Sequence, residues 1–131
     1  MIYLDTHVVL WLREGLVDRL SKTARTLLDE NDLLISPMVR LELQHLFEIK
    51  RCAVAAHVIL KELQSQIGLS VCDLPFDVVA AKATEITWTR DPFDRLIVAN
   101  AVCRGVRLLT KDATIRRHTK IAVWNQRMRR C

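Results

Sequence analysis

Met1-Ile2-Tyr3-Leu4-Asp5-Thr6-His7-Val8-Val9-Leu10-Trp11-Leu12 is the stretch whose reading decides the fold. Ile2, Tyr3 and Leu4 run together with no polar residue between them. A strand without alternation buries both faces, which is the mark of a central strand in a parallel sheet covered by helices. Asp5 falls at the carboxyl end of that strand. In open α/β sheets ligands bind at that edge. Thr6 is predicted to cap a helix running from His7 to Arg13. Taken alone, Asp5 reads equally well as a turn residue or a cap. The positions of the other acids change that balance.

Outward from this stretch, short apolar runs alternate with helical patterns. Ser21 caps a helix predicted to reach Glu30, with Ala24, Leu27 and Leu28 on its apolar face. Leu33-Leu34-Ile35 is a second buried strand. Ser36 and Pro37 open a helix predicted to run to Lys50, since serine caps and proline suits a first turn. Val39, Leu43, Leu46 and Phe47 form its apolar stripe. A helix from Ala53 to Gln66 is ended by Gly68. Leu69 to Cys72 is a third strand, and Pro75 opens a helix carrying Val78, Val79, Ala83 and Ile86. Asp91-Pro92 starts a helix that ends before Gly105. Val106 to Leu109 and Ile121 to Trp124 are the fourth and fifth strands, with a short helix between them. Strand–helix alternation predicts a parallel sheet between helical layers.

The chain has 131 residues, half of them hydrophobic, which fits one domain over 1–131 with a core of its own. No basic, apolar leader opens it, and no apolar run approaches the ~18 residues of a membrane span. The four cysteines, Cys52, Cys72, Cys103 and Cys131, are scattered without a C-x-x-C pair. They read as reduced thiols of a cytoplasmic protein rather than zinc or redox ligands. The net charge is +5. Beyond Asp112 there is no acid, while Arg116, Arg117, Lys120, Arg127, Arg129 and Arg130 follow. A basic end of this kind suits a polyanion or an acidic partner segment.

Several acids stand in places that should be apolar. On a helical wheel Glu42 falls among Met38, Leu46 and Ile49. A lone carboxylate buried there costs several kcal/mol or takes up a proton. A metal would relieve it, and so would an ion pair with Arg40 or Arg95. Asp91 before Pro92 is a helix cap, and Asp94 complements the helix dipole. Asp94 also projects beside Ile97, Val98 and Ala101, so it is the preferred ligand and Asp91 the supporting acid. Asp112 follows the fourth strand and reaches the same sheet edge as Asp5 if the strands are parallel; its alternative role is a helix cap. A cluster formed by Asp5, Glu42, Asp94 and Asp112 cannot ionise fully without a cation. Oxygen-only ligands favour Mg²⁺ or Mn²⁺. Such an ion supports attack on a phosphodiester, and with the positive net charge this points to a nuclease.

These segments also carry a resemblance. Tyr3-Leu4-Asp5-Thr6-His7, Ile35-Ser36 followed by Glu42, Arg90-Asp91-Pro92-Phe93-Asp94-Arg95-Leu96-Ile97-Val98-Ala99, and Leu109-Thr110-Lys111-Asp112 together resemble a PIN domain of the VapC-toxin branch. The resemblance spans nearly the whole chain. It implies a three-layer α/β/α sandwich with a central five-stranded parallel sheet, and a Mg²⁺- or Mn²⁺-dependent endoribonuclease. Carried over, the catalytic and metal-binding acids are Asp5, Glu42, Asp94 and Asp112, with Asp91 accessory. Thr6 and Thr110 fall where the family places hydroxyls that orient the first aspartate. A homodimer and a cognate antitoxin that blocks the site are implied as well. One departure is visible: Thr87-Trp88-Thr89 stands where a Leu-Pro-x-x-His run is more usual.

Arg90, Arg95, Lys111, Arg116 and Arg117 lie close to the acids in sequence and are the candidates for RNA phosphate contacts. Two rival readings remain. A structure-specific DNA nuclease of the PIN-like kind normally carries a long inserted clamp, for which this chain has no room. A phosphoacceptor signalling module normally has adjacent acids after its first strand, whereas Asp5 is followed by Thr6.

Overall fold

The computed structural model describes residues 1–125. Arg127, Arg129, Arg130 and Cys131 of the predicted basic end lie outside the described residues. Five parallel strands form one sheet in the order β3-β2-β1-β4-β5. They are β1 (Ile2–Leu4), β2 (Leu33–Ile35), β3 (Ser70–Val71), β4 (Leu108–Leu109) and β5 (Ala122–Val123). Every residue of β1, β2 and β4 is buried, as unbroken apolar runs require when both faces are covered. The edge strands are shorter than the apolar runs predicted at 69–72 and 121–124. Both residues of β3 are exposed, because an edge strand has a neighbour on one side only.

Among the described residues seven α-helices and a short 3-10 helix (Val17–Arg19) accompany the sheet: α1 (Thr6–Glu14), α2 (Lys22–Glu30), α3 (Pro37–Glu48), α4 (Ala56–Ile67), α5 (Phe76–Ala83), α6 (Pro92–Arg104) and α7 (Ala113–His118). Among them α3 packs against α1, α4 and α6, and α5 packs against α6. Side-chain caps start several where the sequence placed them: Ser21 accepts from Ala24 N–H, Ser36 from Met38 N–H, and Asp91 from Phe93 N–H. Gly68 and Gly105 end α4 and α6 at φ 69° and 72°, a left-handed turn that glycine adopts without steric cost.

Several boundaries differ from expectation, and β4 begins at Leu108 rather than Val106. Asp5, not Thr6, caps α1, so Thr6 is already helical. Helix α3 stops at Glu48 rather than Lys50, because Lys50 turns to φ 63°. Helix α4 begins at Ala56, where the side chain of Gln44 caps Ala56 N–H from the neighbouring helix. Helix α5 ends at Ala83, and Ile86 is buried in the following turn. Phe47 and Val78, placed on apolar stripes by spacing, are exposed at 37% and 52%. No helix among the described residues is long and apolar enough to cross a membrane.

The strand order positions the site. From β1 the chain moves outward through β2 and β3, then returns to the other side of β1 for β4 and β5. The direction of winding therefore reverses between β1 and β4. A crevice opens outside the carboxyl ends of two such strands, because their following helices depart on opposite faces. Leu4 pairs with Leu109 there, so the next residues, Asp5 and Thr110, stand side by side at its floor.

Candidate active site

Asp5 is buried at this reversal point. Its Oδ2 accepts the Thr110 hydroxyl at 2.6 Å, and its Oδ1 accepts Thr6 N–H at 2.8 Å. The Thr110 hydroxyl in turn accepts Asp112 N–H at 3.1 Å. One hydroxyl thus ties the end of β1 to the start of α7. Burial pushes the Asp5 carboxyl above its ordinary pKa, and the bonds from Thr110 and Thr6 offset only part of that.

Thr6 does something other than the expected task. Its hydroxyl donates to Glu42 Oε1 on α3, while only its backbone N–H serves Asp5. The bond draws α1 and α3 together beside the acids. Neither arginine proposed for Glu42 pairs with it: Arg95 instead donates to the carbonyls of Ala83 and Thr84. Burial, and then the nearby charge of Asp5, raise the Glu42 pKa.

Asp91 caps α6, with Oδ1 accepting Phe93 N–H at 2.8 Å and Asp94 N–H at 3.4 Å. Asp112 caps α7, with Oδ1 accepting Ile115 N–H at 3.0 Å. Both structural alternatives therefore hold for these two acids. They do not exhaust them, because one carboxylate oxygen caps while the other remains available. The Asp94 carboxylate is half-buried and accepts no hydrogen bond among the described residues. Its pKa is raised to about 7, first by burial and then by the charges of Asp91, Asp5, Asp112 and Glu42. All the acids expected at the site therefore act on Asp94. Among the described residues none of the five forms an ion pair.

A divalent cation suits this donor set. The groups are all oxygen and repel one another; among the described residues none is in an ion pair, and His7 offsets only part of the repulsion at Asp5 and Glu42. Among the described residues, no three acid, histidine or cysteine side chains close up as a ready ion cage. Mg²⁺ seldom needs one, since it keeps several waters and takes one or two carboxylates. The residues fit such an ion, which Asp5, Glu42, Asp94 and Asp112 would hold.

The family model for the PIN domain matches residues 2–121. The chain belongs to the PIN-domain family. This PIN domain is 33% identical over 129 residues to "Ribonuclease VapC22" of Mycobacterium tuberculosis (strain ATCC 25618 / H37Rv), an alignment covering 94% of this chain and 98% of that protein. It is a PIN domain of the VapC type. Its fold also matches the solved structure "VapBC2 from Rickettsia felis bound to a DNA fragment from their promoter", with a TM-score of 0.62 and 21% identity, over 89% of this chain and 92% of that one.

The basic residues nominated for RNA contact scatter across this PIN domain. Arg90 donates to the Thr87 carbonyl at 2.7 Å, and Arg95 is turned to the end of α5. Arg116 donates to the Lys111 carbonyl at 3.1 Å and lines a separate 470 Å³ recess beside β5. Arg117 is exposed. Only Lys111 is fixed toward the crevice, its Nζ 5.7 Å from the centre of the Trp11 ring. Sequence reasoning missed the ring-bearing side chains His7, Trp11, His45 and Phe93, which line a groove that also meets Glu42 and Asp91. A signal was present, since His7 and Trp11 stand one helical turn apart, and His45 stands one turn beyond Glu42.

Proposed function

We propose that this PIN domain is a Mg²⁺- or Mn²⁺-dependent endoribonuclease, the toxin of a toxin–antitoxin pair, with Asp5, Glu42, Asp94 and Asp112 as its catalytic and metal-holding acids. The observation that carries this is Asp94, whose pKa is raised to about 7 by burial and by Asp91, Asp5, Asp112 and Glu42. A protein gains no stability from like charges at a buried strand edge, so their gathering there speaks for a cationic ligand. The ion would neutralise the phosphodiester and activate water for its attack.

The chain's own groups then have separate tasks. Thr110 and Thr6 N–H fix both oxygens of Asp5, which limits its movement toward the ion. The Thr6 hydroxyl fixes one oxygen of Glu42 and leaves the other for the ion or a water. Asp94, without a hydrogen-bond partner among the described residues, can hold the ion or a proton near neutral pH. Asp91 keeps α6 in register through its cap. The name of the VapC22 relative supports RNA as substrate. The VapBC2 complex supports an antitoxin partner, which would block the site by placing a basic side chain among the acids. A homodimer is supported by the exposed Phe76 and Val78 of α5 and Val102 of α6. The free thiols of Cys52, Cys72 and Cys103 support a reducing, cytoplasmic setting.

Cleavage of labelled single-stranded RNA and single-stranded DNA, with Mg²⁺ and with EDTA, tests the assignment. Wild type is expected to cut RNA only with the ion. Asp94→Asn is expected to lose at least about a hundredfold in rate while staying folded. Asp91→Asn keeps a capping side chain and is expected to retain more activity than Asp94→Asn. Cutting that persists in EDTA, or that acts on DNA alone, overturns the reading.

A further inference from the structure

We infer that the groove between α1 and α3 receives an unpaired nucleobase of the RNA, beside the bond that is cut. The inference rests on the ribonuclease reading above and adds the part of the substrate that is recognised. The groove has a volume of about 640 Å³, and Glu42 and Asp91 are part of its lining. A nucleotide seated in it is therefore contiguous with the acid site.

Its walls carry paired rings. On α1 the rings of His7 and Trp11 lie 6.2 Å apart. In the same groove His45 of α3 and Phe93 of α6 lie 5.8 Å apart and tilted by 32°. The Trp11 ring is held in place from two further directions, by an edge contact with Trp124 at 5.9 Å and by the Lys111 ammonium. His7 and His45 are exposed. Trp11 and Phe93, with two of the four histidines, line this one groove beside the acids. Flat rings lining one groove suit a flat ligand that stacks, and single-stranded RNA is read in this way, by bases splayed onto aromatic faces.

Charge supports the same occupant. The groove runs toward Arg19 and Arg51, and among the described residues neither forms an ion pair. They offer cations to the phosphates on the far side of the base. Glu14 lines the groove as well, with Glu42 and Asp91, so Arg19 and Arg51 are the groups there that can meet a phosphate. The arginines nearest the acids in sequence are tied to backbone carbonyls elsewhere, which leaves this groove as the direct continuation of the site.

The test is a binding titration of the Asp94→Asn protein with fluorescein-labelled single-stranded oligomers of A, C, G and U, at pH 8 and several salt concentrations. His7→Ala combined with His45→Ala is expected to weaken the tightest oligomer by about fivefold to a hundredfold. The salt slope is expected to stay the same, because no phosphate contact is removed. His45→Phe is expected to bind as tightly as the unsubstituted protein. Unchanged affinity in the double variant overturns the inference and leaves the groove to a protein partner. A flattened salt slope without rescue by His45→Phe also overturns it, in favour of a phosphate contact. If Asp94→Asn binds no RNA at all, the ribonuclease reading falls and takes this inference with it.

Discussion

The buried polar side chains of the described residues divide into two groups near the carboxyl edge of the sheet, and the two groups behave in opposite ways. Ser36 and Asn100 form one; Asp5, Thr6 and Thr110 form the other. In the first, Ser36 donates to Asn100 Oδ1 at 2.5 Å, and Asn100 donates to the Cys72 sulfur at 3.3 Å. Ser36 also caps α3. Every member is neutral, and donors meet acceptors. At the margin, the Tyr3 hydroxyl is buried beside the Cys72 thiol without a well-aligned hydrogen bond, and burial raises its pKa. In the second group the hydroxyls of Thr110 and Thr6 serve carboxylates that remain in excess. The first group is complete within the protein, so its role is to hold α3 and α6 at a fixed spacing from the sheet. In the second, Asp5 and Glu42, the carboxylate that Thr6 serves, form no ion pair among the described residues. Polar burial by itself therefore does not mark a site; uncompensated charge does.

The sharpest way to break this contrast is to substitute Asp5. Millimolar Mg²⁺ or Mn²⁺ is expected to raise the thermal midpoint of wild type, because it relieves the repulsion among the acids. Asp5→Asn is expected to lose most of that rise. An equal rise in wild type and Asp5→Asn, measured by differential scanning fluorimetry, would remove Asp5 from the ion site.

Ser36→Ala probes the other group. The change removes a cap and leaves the Asn100 carbonyl unserved, a cost of about 1–3 kcal/mol. Urea denaturation is expected to show that loss while the midpoint rise with Mg²⁺ stays the same. A folded Ser36→Ala protein that no longer responds to Mg²⁺ would merge the two groups into one.

The smallest expected effect is on pH. The folded-state pKa of Asp94 is raised to about 7, against 3.8 for the free carboxyl. A raised value means that the folded protein binds the proton more tightly than the unfolded chain. This stabilisation is full below pH 3.8 and is lost as pH rises through about 7. In EDTA, the urea midpoint is expected to fall between pH 6 and about 8, with a flatter profile in Asp94→Asn. Ion affinity is expected to strengthen over the same interval, because the ion and the proton compete for the same oxygens. A midpoint independent of pH in wild type would show that Asp94 does not feel its neighbours.

Much of this was determined locally. Unbroken apolar runs identified β1 and β2, because a strand buried on both faces admits no polar residue, whereas the run predicted at 106–109 held Arg107 and only Leu108–Leu109 is strand. Ser21, Ser36 and Asp91 marked helix starts, since a cap is a contact between residues two or three apart. The acids Asp5, Glu42, Asp94 and Asp112 stood out because each sat at a strand end or beside apolar neighbours. Tertiary structure decided what depended on residues far apart in the chain. The Thr6 hydroxyl turned to Glu42 because α3 packs beside α1, a contact across 36 positions. Arg95 was taken from Glu42 by the carbonyls at the end of α5. Phe47 and Val78 fitted an apolar period yet stayed exposed, because spacing defines a face and only a neighbouring element buries it. The ring-lined groove arose in the same way, since His7 and Trp11 meet His45 and Phe93 only when α1, α3 and α6 converge on the carboxyl edge of one sheet.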